Sequence, residues 1–224
     1  MKLKSAYRQA ITEGGTGGHM AHPFDDNDLT FNDFEKMIRG LLSGYITNHG
    51  KVTEKLDGQS LGISWKDGKL IAARNKGQIK GHGTNALDIA GVKKMFAGRG
   101  ELETSFVSAV TDLQAAIKGL SDAQRQKIFG EGQNFMNIEV MYVPTTNVIP
   151  YGKNMLVFHG ALRYNEAGEP IGEVEGSAGI LAGMIKQINA NIQKTFTIQG
   201  PQTITLPRDK NFNEQQARFI KRLN

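Results

Sequence analysis

At 224 residues the chain has the length of one large domain, or of a domain with a small appendage, and can bury a substantial core. With 39% hydrophobic residues, 22% charged residues and no cysteine, it is neither a disordered chain nor a disulfide framework, and it holds no thiolate metal site or cysteine nucleophile. Lys plus Arg exceed Asp plus Glu by 27 to 22, a net +5 that permits a polyanionic partner without requiring one, and the five histidines include no i, i+4 pair suited to zinc.

Residues 1–13 suit a short helix that the glycines of 14–18 break. Over 29–45 the apolar positions 31, 34, 37, 38, 41, 42 and 45 line one side of a helix, for which Asn27 or Asp28 is the expected cap. Residues 1–49 then form a helical leader and 50–224 a single domain. A short strand is expected over 52–56. A second follows over 60–65, then a tight Lys66-Asp67-Gly68-Lys69 hairpin turn and a third strand over 70–73. Helices are expected over 86–97, 102–120 and 122–129, the last capped by Ser121.

Strand character returns over 135–143 and 155–164, the latter closed by a loop containing Ala167-Gly168. Residues 177–194 read as an amphipathic helix, 203–206 as a short strand between prolines, and 212–223 as a last helix. Elements come in runs rather than strict alternation. The expected class is therefore α+β, with largely antiparallel sheets flanked by helices and a helical insert at about 85–130. No apolar run approaches the ~18 residues of a membrane span and no signal segment follows the start, so a cytoplasmic chain without a membrane partner is expected.

The stretch richest in chemistry is Glu54-Lys55-Leu56-Asp57-Gly58, followed by the hairpin and by Arg74-Asn75-Lys76-Gly77. A lysine is protonated at neutral pH and attacks only when desolvated or set among other cations. The nearby aspartate can orient it or counter a metal, and the glycine lets backbone approach a phosphate or sugar closely. The pattern Lys55-Leu56-Asp57-Gly58 also describes a strand running into a polar turn. Glu139, between Ile138 and Val140, is a carboxylate in an apolar strand, where an unpaired charge would be costly.

Residues 51–77 together resemble the first motif region of the covalent nucleotidyltransferases, the superfamily of ATP-dependent DNA ligases, RNA ligases and mRNA-capping enzymes. Asn137-Ile138-Glu139-Val140 resembles that family's third motif, and Leu156-Val157-Phe158-His159-Gly160-Ala161-Leu162 the motif after it. The likeness covers about 50–165 and has a phage-type look. It implies a ligase-type nucleotidyltransferase domain that uses ATP and Mg²⁺, forms a lysyl-AMP intermediate and seals nicked DNA or RNA in repair or replication, acting as a monomer.

On that likeness Lys55 is the nucleophile and Asp57 orients it or the metal. Glu54 borders the adenine, and Gly58 belongs to the nucleotide site. Arg74 contacts ribose or phosphate, Glu139 a ribose hydroxyl or the metal, and Phe158 stacks on the purine. Lys76 and Lys80, with Arg74, form the expected contact to polynucleotide phosphates. The departures are His159, where the family often has Asp, and the lack of a Lys-x-Lys segment after 165. Glu175-Gly176 reads as helix-start punctuation rather than as the family's later Glu-Gly motif. These departures suggest a domain incomplete at its C-terminus, or a catalytically degenerate nucleic-acid-binding or virion-associated protein. An RNA ligase or a capping-type guanylyltransferase is the alternative within the family.

Overall fold

A computed structural model describes residues 28–43, 56–145, 151–175, 177, 185–186, 189–190, 195–200 and 211–223. The described residues group into two compact units. One contains helix α1 (Phe31–Leu42) and the helix Phe212–Leu223, which pack together. Thr30, not Asn27 or Asp28, caps α1: its hydroxyl accepts from the Asp33 amide while the Asp33 carboxylate accepts from the Thr30 amide at 3.1 Å.

The second unit is built on a sheet whose first hairpin forms as the sequence predicts. Strand β1 (Gln59–Lys66) turns at Asp67 and Gly68 into β2 (Lys69–Ala73). Both turn residues are left-handed, with φ of 51° and 73°, which matches the right-handed twist of a two-residue hairpin. Strands β3 (Asn134–Met141), β4 (Met155–Tyr164) and β5 (Pro170–Glu173) extend the sheet in the order β2-β1-β3-β4-β5, all antiparallel. A sixth strand, β6 (Thr197–Gln199), lies parallel to the first part of β4. This is a mixed α/β structure with an antiparallel sheet flanked by helices.

Alternation sends Leu61, Ile63, Met136, Ile138 and Val140 to one face, where they join the main core. That face is covered by the helical insert. It comprises α3 (Ile89–Phe96), α4 (Glu101–Lys118) and α5 (Asp122–Phe129), preceded by α2 (Lys76–Gly83). Helix α4 carries Phe106, Val110, Leu113 and Ile117 on its buried stripe, with Glu101 and Glu103 in its first turn and Lys118 in its last to complement the dipole. Ser121 caps α5 with Gln124 as its reciprocal partner, as expected. The glycines at 77, 81 and 83 hide α2 from sequence reading, and it is irregular from Lys80 to His82.

Two further anchors hold β6. Asp112 of α4 is 3% exposed; burial pushes its carboxyl above the ordinary range although the amides of Phe196 and Thr195 donate to it. The Asn189 side chain accepts from the Ile198 amide and donates to its carbonyl, both at 2.8 Å. The strand over 170–173 and the strand over 197–199 are additions to the sequence reading. The expected helix over 1–13, strand over 203–206 and most of 177–194 lie outside the described residues, as does 52–55 of the first expected strand. No helix of the described residues is long and apolar enough to cross a membrane.

Candidate functional site

The sheet face opposite the main core carries two apolar clusters with polar residues between them. One cluster is Ile71, Ala73, Ile79, Phe135 and Tyr164; the other is Met141, Met155 and Val157, joined by Leu56 and Tyr151. Between them lie Ser60 of β1 and Asn137 and Glu139 of β3. Ser60 stands opposite Glu139, and its hydroxyl donates to the Asn137 side-chain oxygen at 3.0 Å. Glu139 is half-buried, an affordable position for a carboxylate only because this strip is polar.

Asp57 and Gly58 lead into β1 at the Met141 end of the strip. The Asp57 amide donates to the Tyr151 hydroxyl at 2.9 Å, which fixes the backbone there. A Cβ at position 58 would lie 2.9 Å from Glu139 Oε2 and 3.1 Å from both Glu139 Cβ and Met141 Cγ. Any side chain would therefore displace the carboxylate or the strand. Gly58→Ala is expected to cost about 1–3 kcal/mol of stability, the range for overpacking a tight site. Urea unfolding checks it, and a midpoint equal to that of the wild type would show that the strand absorbs the methyl group.

Arg74 follows β2. Its amide donates to Gln78 Oε1 at 2.6 Å, and its guanidinium carbon sits 4.9 Å from the centre of the Phe106 ring of α4. Burial lowers its pKa, the Glu139 carboxylate works against that shift, and Arg99 adds to it. The guanidinium remains charged at physiological pH. Arg74 and Glu139 are thus coupled electrostatically, and Glu139 is in turn packed by Gly58.

Phe158 does not join this group. It stands opposite Ile138, is 2% exposed and belongs to the main core, on the other face of the sheet from Glu139. Its ring face is not available to a base, which corrects the expectation of a purine platform there. The reason is a register shift: Asn137 pairs with Gly160 and Ile138 with Phe158, so His159 has no partner in β3. This bulge leaves His159 exposed.

Lys55 and Glu54 lie outside the described residues. Lys76 pairs with Glu169 at 2.9 Å, and Lys80 packs against Gly168, so both face the β4–β5 turn. Glu139 and Asp57 offer hard oxygen donors of the type Mg²⁺ takes, and Mg²⁺ is commonly held by one or two carboxylates with phosphates and water. Among the described residues no three His, Asp or Glu gather into a metal cluster. Ser60, Asn137 and Tyr151 were not singled out from sequence. The first two share Glu139's face by simple alternation and were legible in principle; Tyr151 reaches Asp57 across a distance of 94 residues and gave no signal. Two cavities, of about 520 and 320 Å³, flank the β1–β2 turn and include none of residues 57, 58, 74 or 139. Comparison of the chain with protein-family models, with curated proteins and with solved structures gave no match.

Proposed function

We propose that the chain carries a nucleotidyltransferase domain of the polynucleotide-ligase kind, with Lys55 as its nucleophile and nicked DNA or RNA as its partner. The observation that carries this reading is the close approach of Gly58 to the Glu139 carboxylate, which joins the first and third motif segments across 81 residues of chain. The Glu139 carboxylate also counters the lowering of the Arg74 pKa, which puts the segment after the hairpin within its electrostatic reach, although the guanidinium itself packs on Phe106 of the main core.

In the proposed step the neutral Lys55 amine, its ammonium proton lost to solvent, attacks the α-phosphorus of ATP. A P–N bond forms as the nitrogen gives up a second proton to solvent, the bond from that phosphorus to the bridging oxygen breaks, and pyrophosphate leaves with the electron pair. Arg74 supplies a fixed positive charge, and fixed charges aimed at a phosphoryl group lower the barrier without reorganisation. Glu139 and Asp57 would hold Mg²⁺, which supplies charge neutralisation on the phosphates. Asn137 and Ser60 offer a hydrogen-bonded polar floor for the ribose.

Incubation with α-labelled ATP and Mg²⁺, then denaturing electrophoresis, tests the reading. The wild type is expected to retain label, and Lys55→Ala to lose all of it. Lys55→Arg should lose it too, because a guanidinium stays protonated and cannot attack. Label retained by either variant would remove Lys55 from this role, and label from GTP instead of ATP would favour the capping-type alternative. A second reading, a nucleotide-binding or nucleic-acid-binding protein without catalysis, is favoured by the burial of Phe158 and by the lack of Lys-x-Lys after 165. Binding of ATP without any label would establish it.

A further inference from the structure

Three arginines of the described residues lie over aromatic rings, and their hydrogen bonding separates them into two kinds. Arg125 sits 5.1 Å from the centre of Trp65, and its guanidinium donates to the carbonyls of Ile117, Lys118 and Leu120 and to the Asp122 carboxylate. Its donors are spent on the end of α4, and its role is structural.

Arg74 and Arg99 are different. Phe96 and Phe106 stack with centroids 4.2 Å apart, and Arg74 lies over Phe106 while Arg99 lies over Phe96 at 5.5 Å. One aromatic pair thus carries two guanidinium groups. Arg74 Nη1 is buried and has no hydrogen-bond partner. Among the described residues neither guanidinium forms an ion pair with an acid. Glu103, in the first turn of α4, accepts from the Gly98 amide at 2.8 Å. Lys93 and Lys94 of α3 add exposed positive charge just before this loop.

Arg99 is close enough for its charge to help lower the Arg74 pKa, and a like charge beside a guanidinium with a buried, unmet donor is costly unless an anion completes the arrangement. The planar fork of a guanidinium matches two oxygens of one phosphate, and stacking on a ring holds that fork in place without consuming its donors. We propose that Arg74 and Arg99 form a two-arginine phosphate site, to which the helical insert contributes Arg99. The carrier of the phosphate is a nucleoside triphosphate or a polynucleotide backbone. Only the choice of those carriers rests on the nucleotidyltransferase reading.

The full chain is tested against three probes: inorganic pyrophosphate and ATP by calorimetric titration, and a fluorescent 20-mer, single-stranded or in a nicked duplex, by anisotropy over a range of salt. The variants are Arg99→Gln, Arg74→Gln and Arg74→Lys, with Lys127→Gln on α5 as a control for the loss of one charge. Arg99→Gln, which leaves the buried core untouched, is expected to weaken at least one probe about 10-fold or more, as for loss of a charge-assisted hydrogen bond. Lys127→Gln should change binding less than about twofold, since this exposed charge forms no ion pair among the described residues.

If the carrier is a polynucleotide, each arginine lost should also flatten the salt slope by about 0.7–0.9. Loss confined to pyrophosphate and ATP identifies the triphosphate as carrier. Arg74→Lys, which keeps charge but not the fork, should bind more weakly than wild type. The proposal is overturned if folded Arg99→Gln binds every probe as Lys127→Gln does, or if the wild type binds none. Should Arg74→Gln unfold, Arg99→Gln alone decides. Intact phosphate binding by a wild type that takes no label removes the transferase reading and leaves this site standing.

Discussion

Phe158→Ala is expected to destabilise the fold by about 3–5 kcal/mol, the range for truncating a fully buried phenylalanine. The ring is 2% exposed and packs in the main core against the helical insert, so its removal leaves a cavity that the sheet cannot close. On the nucleotidyltransferase reading proposed above, the nucleotide affinity of the folded fraction should not change. His159→Ala, one residue on and exposed at the bulge, should stay within about 0.5 kcal/mol of wild type. Urea unfolding monitored by tryptophan fluorescence, paired with nucleotide titration below the transition, reads both quantities. A Phe158 variant of native stability with impaired nucleotide binding would show that the ring serves the ligand after all.

Gly132→Ala is expected to cost more than about 3 kcal/mol, because backbone strain and a hard collision act together. Its φ is +89°, and a Cβ there would lie 2.4 Å from the His82 carbonyl oxygen and 3.1 Å from Lys66 Cδ. The carbonyl cannot retreat freely. His82 is itself left-handed, with φ of 53°, and its oxygen accepts from Lys66 Nζ at 3.0 Å. Gly152→Ala is the matched control: nothing lies within 4 Å of its Cβ position, so the change should be neutral or stabilising by up to about 1 kcal/mol. Equal unfolding midpoints for the two variants would show that the turn at 130–132 can relax around a methyl group.

Much of the fold is legible in the sequence where local chemistry and long-range packing agree. Strand 155–164 has the bounds its sequence predicts, the Asp67-Gly68 turn takes the conformation its residues favour, and Ser121 caps the helix it precedes. The capping of α1 moves to Thr30 because Asp33 is placed to answer it, a reciprocal pair that outweighs single-residue preference. Helix α2 is hidden by three glycines, each a breaker on local grounds. Its buried Ile79 joins the Phe135 and Tyr164 cluster, so tertiary packing decides.

The site follows the same division. That Glu139 shares a face with Ser60 and Asn137 needs only a count of two along each strand. Whether Phe158 shares that face depends on how β4 registers against β3, and one unpaired residue, His159, reverses the answer. No count along β4 alone could reveal it. Arg99 was equally hidden, since its link to Arg74 runs through two phenylalanines, ten residues apart, that stack between α3 and α4.

The side chain of Asn189 has a further consequence for how the protein behaves in a crowded solution. β6 is three residues long, and its outward-facing backbone offers essentially one donor and one acceptor, those of Ile198, both taken by the Asn189 amide. An amide group presents the same donor and acceptor pair as a neighbouring strand would. One side chain thus imitates the next strand and removes the template on which a foreign chain could be added. Exposed strand edges invite self-association, and proteins commonly blunt them with charge, proline or a covering segment. At this edge a single carboxamide does the same, so the border of the sheet is closed by mimicry rather than by repulsion.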